Sequence, residues 1–400
     1  MKQVNSIYDN IVDTQKIMKM YDKRIRINTK NKTKLLRFEY NYVSNIVYIK
    51  NILGDRKYIP GKYNIFIIKE PKLRLIMSQN IIDKIINHLV SEYLLVEVFD
   101  KTLIDSNIAT RKNKGTDYGV KLLKKYIKKL NNNKFYILKF DISKYFYNLD
   151  HEILKNIISK KIKDKDAINL LYKIIDSTDY SYINKRINDL KNREIEKILN
   201  SNNLDKERLI NEIKSIPEYK KGKGLPIGNI SSQFLAILYL NELDHYIKEE
   251  LKIKYYIRYM DDGILLHTDK EYLKNCLKEI EKILERYGLK LNNKTRIYSS
   301  DEGFEFLGYK YIMKNNRLIV KIKGQTKRRF KRKMKTLYKL EEQGKITKKD
   351  VMHVEASYKG HLHYGNTKKL IENTIKKDEI ENLEFTEVCI KDNKIVYINT

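Results

Sequence analysis

The segment Tyr259-Met260-Asp261-Asp262 places two adjacent acids between two apolar stretches, and no other part of the chain constrains the fold as strongly. Residues 252–258 and 263–267 are rich in β-branched, aliphatic and aromatic side chains, so each predicts a short strand. Neighbouring side chains on a strand point to opposite faces, so a tight turn is needed to expose acids at its tip. Acids at the edge of a core are costly unless they are paired or bound to metal. A solvated turn is the alternative interpretation.

A third acid, Asp141, follows the predicted strand at residues 135–140. Three carboxylates without a His or Cys cluster suit Mg²⁺ better than zinc, with Mn²⁺ as a substitute. Two such ions, roughly 3.5–4 Å apart, would hold the attacking and leaving oxygens of a phosphoryl displacement. A basic hairpin at residues 69–74 could neutralise a triphosphate. These features together predict nucleotidyl transfer.

The chain has a large excess of positive charge. Its 400 residues include 82 Lys and Arg against 51 Asp and Glu, a formal net charge of +31. Such an excess favours a polyanionic partner such as nucleic acid. The alternative is A/T-biased codon usage, because Lys, Ile, Asn and Tyr are all abundant.

Cysteine content and apolar runs bear on location. Cys276 and Cys389 are isolated, which indicates a reducing compartment. The N-terminal residues lack the apolar stretch of a signal peptide, and the longest apolar run, residues 234–240, is too short to span a membrane. We therefore expect a cytoplasmic protein without a membrane partner.

The order of predicted elements indicates an α+β fold. Helices are predicted at residues 7–53, 81–98, 151–178 and 271–287, and basic helices at 324–380. Short strands are predicted at residues 63–68, 73–77 and 295–323, with a terminal hairpin across Asp392-Asn393. Residues 186–222 are highly charged and predict a solvated insertion. Ser231 or Ser232 is expected to cap a helix that runs to about Lys248.

Five segments resemble reverse transcriptase motifs A to E, in order and spacing. They are Phe140-Asp-Ile-Ser-Lys-Tyr-Phe146, Gly224-Leu-Pro-Ile-Gly-Asn-Ile-Ser-Ser-Gln233, Tyr259-Met-Asp-Asp262, Leu289-Lys-Leu-Asn-Asn-Lys294-Thr and Gly303-Phe-Glu-Phe-Leu-Gly-Tyr309. The resemblance covers roughly residues 60–370, and five motifs in order are far more specific than any one of them.

The resemblance implies a right-hand polymerase. The implied parts are a helical N-terminal extension (1–60), fingers (61–134), palm with motif A (135–150), helices with the charged insertion (151–223), palm with motifs B to E (224–316), a helical thumb (317–380) and a C-terminal tail (381–400).

The resemblance also implies a role for individual residues. Asp141, Asp261 and Asp262 would bind the metal ions, together with Ile142. Lys294 would donate a proton to pyrophosphate. Phe146 would be the steric gate that excludes a ribose 2′-OH and so favours dNTPs. The remaining nucleotide-binding candidates are Lys69, Arg74, Ile227, Gly228 and Gln233. Contacts to template and primer would come from Arg111, Lys114, Tyr259, Leu307, Gly308, Lys327, Arg328 and Arg332.

Motif B indicates a subgroup. Many reverse transcriptases carry Gln before the motif's Gly, whereas this chain has Ile227. The pattern is similar to enzymes of diversity-generating retroelements, which copy RNA with errors at adenines and use a small accessory protein. Bacterial unknown-group and abortive-infection reverse transcriptases of phage defence, some with a co-encoded non-coding RNA, share much of it. An aliphatic side chain cannot form the hydrogen bonds of Gln, which weakens discrimination.

Several candidates have a structural alternative. Asp262 could serve only the turn, Lys294 could cap or pair on the surface, and Phe146 could fill the core. His361 and His363 are spaced like metal ligands but lack a third partner, so a structural role is expected.

The sequence therefore predicts an RNA-directed DNA polymerase acting on structured RNA template, primer and dNTPs. Two alternatives remain: protein-primed or template-independent DNA synthesis on the same fold, and a non-catalytic scaffold that binds structured RNA. The intact acids at 141, 261 and 262 argue against the scaffold.

Overall fold

The structure is a computed structural model that describes residues 3–70, 72–130, 134–202 and 205–375, and the backbone of 387–391 and 394–398. The chain divides into two compact units, Met1–Ser299 and Ser300–Thr400. Among the described residues, no helix combines the length and the apolar character needed to cross a membrane.

The N-terminal residues are helical, as predicted. The helices are α1 (Thr14–Met20), α2 (Lys32–Tyr40) and α3 (Tyr42–Gly54), and a π-helical turn at Tyr21–Arg26 follows α1. Ile17 and Ile46 are buried. Leu36, Val43 and Val47 are exposed, so the apolar positions of this segment pack into the core only in part.

The predicted basic hairpin forms next. Its strands β1 (Asn64–Ile68) and β2 (Arg74–Ser78) pair antiparallel, with Ile67 opposite Leu75. The predicted helix at 81–98 is α4 (Ile81–Leu89), a π-helical segment (Val90–Val96) and α5 (Glu97–Phe99). A loop then leads to α6 (Thr116–Leu130).

One four-stranded antiparallel sheet organises the first unit. Its strands are β3 (Tyr136–Phe140), β4 (Tyr255–Tyr259), β5 (Asp262–His267) and β6 (Arg296–Ser299), in the order β4-β5-β3-β6. The helices that separate β3 from β4 are α7 (Tyr145–Asn148), α8 (His151–Lys161), α9 (Lys165–Ile175), α10 (Tyr182–Leu199), α11 (Lys206–Lys214), α12 (Ile230–Tyr239) and α13 (Asn241–Glu249). Helix α14 (Lys270–Arg286) links β5 to β6, and Gly288, at φ +68°, follows its end as predicted.

Residues 186–222 correct the prediction of a solvated insertion. Helices α10 and α11 form most of this segment, and Ile187 and Ile216 are buried in the cluster that includes Leu75 and Met77 of β2. The apolar stripe of these helices is narrow and is flanked by many charged residues. The composition of the segment therefore did not indicate two helices that pack beside the hairpin of β1 and β2, which is called the fingers hairpin below.

The prediction that Ser231 or Ser232 caps a single long helix is wrong. Asn229 occupies the N-cap position, and the helix breaks at Leu240 between α12 and α13. Both serines are buried inside α12, where the Ser231 hydroxyl donates to the amide oxygen of Asn87. These hydroxyls therefore serve helix packing rather than capping.

Residues 300–375 of the second unit form a three-stranded antiparallel sheet and three helices. The elements are β7 (Phe304–Phe306), β8 (Tyr309–Lys314), β9 (Arg317–Ile322), α15 (Gly324–Glu342), α16 (Lys348–Leu362) and α17 (Lys368–Glu372). The expected boundary between residues 316 and 317 falls at the β8–β9 turn. The predicted terminal hairpin is β10 (Glu387–Lys391) paired with β11 (Lys394–Ile398), whereas its predicted turn at Asp392-Asn393 lies outside the described residues.

Candidate active site

Sheet register brings the three predicted acids together. Phe140, the last residue of β3, pairs with Gly263 of β5, so Asp141 emerges beside the β4–β5 turn. That turn holds Met260 and Asp261, with Asp262 opposite Tyr259. Met260 adopts φ +57°, a left-handed conformation that allows the tight reversal predicted from the sequence.

Close contact between β3 and β5 depends on a glycine. A Cβ atom at Gly263 would lie 2.1 Å from the Phe140 ring, far inside any normal contact. The aromatic ring occupies the space of the absent side chain. A larger residue would have to separate the strands that carry Asp141 and Asp262.

A buried arginine holds the acid turn from beneath. Arg258 is completely buried, and its Nη1 donates to the Met260 carbonyl oxygen at 2.7 Å. Its Nε and Nη2 donate to Asp244 at 2.6 and 2.7 Å, and Tyr256 donates to the same carboxylate at 2.8 Å. A buried charge pair requires such satisfied geometry. Sequence reasoning did not select Arg258, although a single charge within an apolar strand was the available signal.

The carboxylates repel one another. The pKa of Asp261 is raised to about 6 by burial, then by the negative charges of Asp262 and Asp141. The pKa of Asp141 is also raised, first by burial and then by the charge of Asp262, while Lys139, Lys72 and Lys294 oppose the rise. Lys139 Nζ lies 3.6 Å from Asp262 Oδ1, so the repulsion is only partly compensated.

The donor set fits divalent cations that prefer oxygen. Asp141, Asp261 and Asp262 offer carboxylate oxygens, and the main chain of Ile142 follows directly. Excess negative charge that raises the pKa of two acids is what a bound cation would relieve. The three carboxylates do not all approach within 4.8 Å of one another, whereas one other described group does so. A cation would therefore have to draw them closer.

The motif D loop is fastened to the end of β3. The Asn292 amide donates to the Asp141 carbonyl at 2.7 Å, and the Ser143 amide donates to the Lys290 carbonyl at 2.9 Å. Lys294 is exposed, and its charge lowers the pKa of Asp141. The structure thus places Lys294 within electrostatic range of the acids, while its role as an acid stays a prediction.

Motif B contacts the fingers hairpin through its backbone. The Met77 amide of β2 donates to the Ile227 carbonyl at 2.8 Å. Gly228 has φ +133°, and a Cβ there would lie 2.8 Å from the Met77 carbonyl oxygen. Only glycine fits this approach without strain. Ile227 and Gln233 are both half-buried, Gln233 within α12.

Phe146, the last residue of motif A, lies in α7. Its carbonyl accepts from the Leu225 amide at 2.7 Å, and its ring packs edge-on against Tyr145 with centroids 5.9 Å apart. The ring is half-buried and packs against the main core. Phe146 therefore contributes to the core, and a gating role stays a prediction.

The basic hairpin carries a further cation, Lys72, beside the predicted Lys69 and Arg74, whose triphosphate roles stay predictions. Lys69 Nζ lies 2.7 Å from Glu194 Oε2 on α10, so its charge is shared with that acid. Lys72 is exposed and acts electrostatically on Asp141. Arg74 is exposed at the start of β2. Lys72 belongs with Arg74 as a triphosphate candidate, and its position at the hairpin tip was the signal in the sequence.

The loop before α6 uses its basic residues internally. The Arg111 guanidinium donates to the Asp100 carboxylate at 2.7 Å and to the Ile104 carbonyl at 2.7 Å, and only 9% of its side chain is exposed. Lys114 pairs with Asp105 and lies over the Tyr118 ring. Both side chains therefore stabilise this loop, and their contact with nucleic acid stays a prediction.

In the second unit, the motif E segment forms a tight turn between β7 and β8. Leu307 and Gly308 have φ +50° and +90°. The Tyr309 hydroxyl donates to the His361 carbonyl, which ties the turn to α16. The His361 ring also packs against the Tyr309 ring with centroids 5.5 Å apart, as a structural role for that histidine predicts. Helix α15 buries Phe330 and Met334, while its exposed face carries Lys327, Arg328 and Arg332. This basic face is suited to a phosphate backbone.

Comparisons with known proteins agree with this geometry. A family model described as "Reverse transcriptase (RNA-dependent DNA polymerase)" matches residues 67–311, more than half of the chain. The chain is also similar to the "Putative COX1/OXI3 intron 2 protein" of Saccharomyces cerevisiae, with 29% identity over 202 residues. That alignment covers 44% of this chain and 23% of the relative, so the chain corresponds to a minor part of the relative's length.

One solved structure among those found is entitled "Structure of apo telomerase from Candida Tropicalis truncated from C-terminal domain". It aligns with a TM-score of 0.40 and 14% identity, over 70% of this chain and 60% of that one.

Proposed function

Because the chain belongs to the reverse transcriptase (RNA-dependent DNA polymerase) family, we propose that it is an RNA-directed DNA polymerase that adds dNTPs to a primer 3′-OH. The observation that carries this proposal is the meeting of Asp141 with the Asp261-Asp262 turn, where burial and mutual repulsion raise the pKa of two acids. A site with unrelieved negative charge suits cations that accompany a triphosphate.

The chain's own residues suggest how the reaction is organised. Asp141, Asp261 and Asp262, with the carbonyl of Ile142, would hold two Mg²⁺ ions. When bound, such ions activate the 3′-OH and neutralise the charge that develops on the phosphate oxygens. Lys72 and Arg74 would bind the triphosphate, and Lys294 would supply a proton to the departing pyrophosphate.

Two residues would define the nucleotide pocket. The Phe146 ring would exclude a ribose 2′-OH, and Ile227 would lie beside the nascent base pair. The structure supports the second role in part, because the Ile227 backbone is held to β2 of the fingers hairpin. Glycine at position 228 permits that contact.

The biological setting that we propose is a bacterial retroelement or an anti-phage defence system derived from one. Support comes from Ile227 in motif B, which the sequence shares with error-prone retroelement enzymes. A structured RNA template is proposed on the charge of +31 and the basic face of α15. An accessory protein or a co-encoded RNA belongs to the same proposal.

Primer extension tests the activity. The purified chain, a labelled DNA primer, a defined RNA template, four dNTPs and Mg²⁺ should yield products whose length follows the template. Product that forms without RNA would favour template-independent synthesis. Product whose gel mobility changes after protease treatment would favour protein priming. Tight RNA binding without any incorporation would favour the scaffold.

A further inference from the structure

His151, Asp176 and Asp179 form a compact cluster outside the site described above. His151 is the first residue of α8, and both acids lie in the 3-10 turn that follows α9. One ligand atom from each residue lies within 4.8 Å of the other two. The His151 side chain is only 1% exposed, whereas the acids are partly open to solvent.

The tautomer of His151 follows from its hydrogen bonds. Its Nε2 lies 2.7 Å from the Gly224 carbonyl oxygen, which can only accept, so the ring proton is on Nε2. The Thr178 hydroxyl donates to the same carbonyl at 2.9 Å. In the neutral imidazole, Nδ1 then carries the lone pair.

That lone pair faces two carboxylates. Nδ1 lies 3.1 Å from Asp176 Oδ1 and 3.6 Å from Asp179 Oδ2, and it makes no hydrogen bond. A buried nitrogen without a partner is unusual in a folded protein. With a neutral ring, three electron-rich atoms at this separation repel one another, and Lys155 Nζ, 2.9 Å from Asp176 Oδ1, compensates that repulsion only at this acid.

The distances fit one metal ion. Two ligands about 2.1 Å from a tetrahedral zinc ion lie about 3.4 Å apart, which the two separations at Nδ1 bracket. A metal-binding imidazole usually donates its other N–H to a carbonyl or a carboxylate, as His151 does to Gly224. We propose that His151, Asp176 and Asp179 bind a divalent transition-metal ion, with Zn²⁺ as the reference ion.

Neighbouring groups leave room for the ion. Asp179 Oδ1 already accepts from the Gly222 amide at 2.9 Å, so Oδ2 is the oxygen turned towards the cluster. Lys155 Nζ lies 2.9 Å from Asp176 Oδ1 and 3.1 Å from Glu152 Oε1. Lys155 can therefore keep Glu152 as its partner when a metal takes Asp176. One imidazole with two carboxylates is a mixed donor set that suits Zn²⁺ or Mn²⁺ better than Mg²⁺.

The site would fasten the segment that leads into motif B. The His151 amide donates to the Gly222 carbonyl at 3.0 Å, and the Gly224 amide donates to the Leu149 carbonyl at 2.7 Å. The ion would thus cross-link the start of α8 to the 3-10 turn and, through Gly222 and Gly224, to residues 222–225. Its role is structural, and it is separate from the ions of the polymerase site.

Metal retention tests the proposal independently of activity. The full chain carrying Asp141→Asn and Asp261→Asn serves as the parent, because these changes remove the polymerase ion site. After treatment with chelator, the parent is dialysed against micromolar Zn²⁺, and bound metal is measured by atomic emission. We expect one equivalent per chain and a higher melting temperature than in the chelated sample.

Matched variants identify the ligands. His151→Gln and Asp179→Asn should each weaken Zn²⁺ binding by at least about tenfold. Glu281→Gln, which changes an exposed acid on α14, should retain the full equivalent. If His151→Gln fails to fold by circular dichroism, the partly exposed Asp179 provides the decisive variant.

A parent that retains no Zn²⁺ would overturn the proposal, as would equal retention in Asp179→Asn and Glu281→Gln. The first result would mean that the three side chains pack together without a metal ion.

Discussion

The ring of Phe146 is the residue-scale feature with the clearest chemical consequence. If it excludes the ribose 2′-OH, Phe146→Ala should raise the ratio of rNTP to dNTP incorporation by roughly tenfold, equivalent to about 1.4 kcal/mol. Competitive extension with mixed nucleotides measures the ratio. Tyr147→Ala is the matched control, because the Tyr147 ring packs against the Tyr219 ring, with centroids 4.9 Å apart, in the apolar cluster that includes Leu75 and Met77. An unchanged ratio for Phe146→Ala would assign the ring to the core alone.

The side chain of Ile227 is expected to affect the fidelity of nucleotide incorporation. Its carbonyl is held by the Met77 amide, so a new side chain can be introduced without moving the backbone. Ile227→Gln adds hydrogen-bonding groups, and one net hydrogen bond contributes about 0.5–1.5 kcal/mol. Misincorporation should therefore fall several-fold, most visibly opposite template adenine. Sequencing of products made on one defined RNA measures this.

Ile227→Leu is the control for that substitution, since it changes shape without adding polarity. A wild-type enzyme that is already accurate at adenine would contradict the error-prone role. An error rate unchanged by Gln would place the source of infidelity elsewhere.

At the scale of elements, the β4–β5 hairpin depends on a network beneath its turn. Arg258→Met removes the donor to the Met260 carbonyl and leaves the Asp244 charge buried without its partner. Breaking such a pair costs about 3–5 kcal/mol, so we expect a lower melting temperature and a large loss of incorporation. Circular dichroism and primer extension measure the two effects.

The double variant Arg258→Met with Asp244→Leu separates the two effects. Removing both charges should restore much of the stability, since an apolar replacement of a buried pair is often tolerated. Incorporation should stay low, because nothing then holds the Met260 carbonyl. Full recovery of activity in the double variant would show that Arg258 acts through stability alone.

The predictable elements were those with a strong local pattern. The β4–β5 hairpin, β3 and the fingers hairpin all follow from apolar runs interrupted by acids, glycine or basic residues. Helices α10 and α11 were not predicted, because their few apolar residues are separated by many charged ones and the helical periodicity is weak. The break at Leu240 was missed because α12 is apolar on nearly every face, so periodicity gave no boundary.

Long-range partners could not be predicted. Glu194 forms an ion pair with Lys69, and Asp100 forms one with Arg111. Neither pair has a signature in the sequence. His151 and Gly224 are 73 positions apart, so their contact appears only once α8 and the motif B segment are packed. The acids at 141, 261 and 262 could be predicted because Asp262 begins β5, while Asp141 directly follows β3 and Asp261 directly precedes β5.

At the scale of the whole molecule, the polymerase site should lower stability when no metal is bound. A carboxyl whose pKa is raised from 3.8 to about 6 favours the fold while it is protonated. That contribution is complete below about pH 4 and is lost as the pH rises through 6. Asp261→Asn removes the charge, so at pH 8 with chelator it should unfold with a free energy about 1–3 kcal/mol higher than wild type.

Urea denaturation at pH 4.5 and pH 8 measures this difference. The advantage of Asp261→Asn should shrink at pH 4.5, and Mg²⁺ should reduce it at pH 8 by binding the wild type more tightly. Asp269→Asn is the control, because Asp269 caps α14 at the surface and asparagine caps equally well. An equal advantage at both pH values would contradict the repulsion between the acids.

The most direct test of the proposed polymerase is incorporation by Asp261→Asn beside RNA binding by the same protein. RNA binding rests on many Lys and Arg residues, so filter binding should change by no more than about twofold. Primer extension with Mg²⁺ should fall by about a thousandfold or more, because one ligand of the reacting ions is lost. Asp269→Asn should match wild type in both assays. Incorporation by Asp261→Asn close to the wild-type rate would contradict the assignment of this turn as the catalytic site.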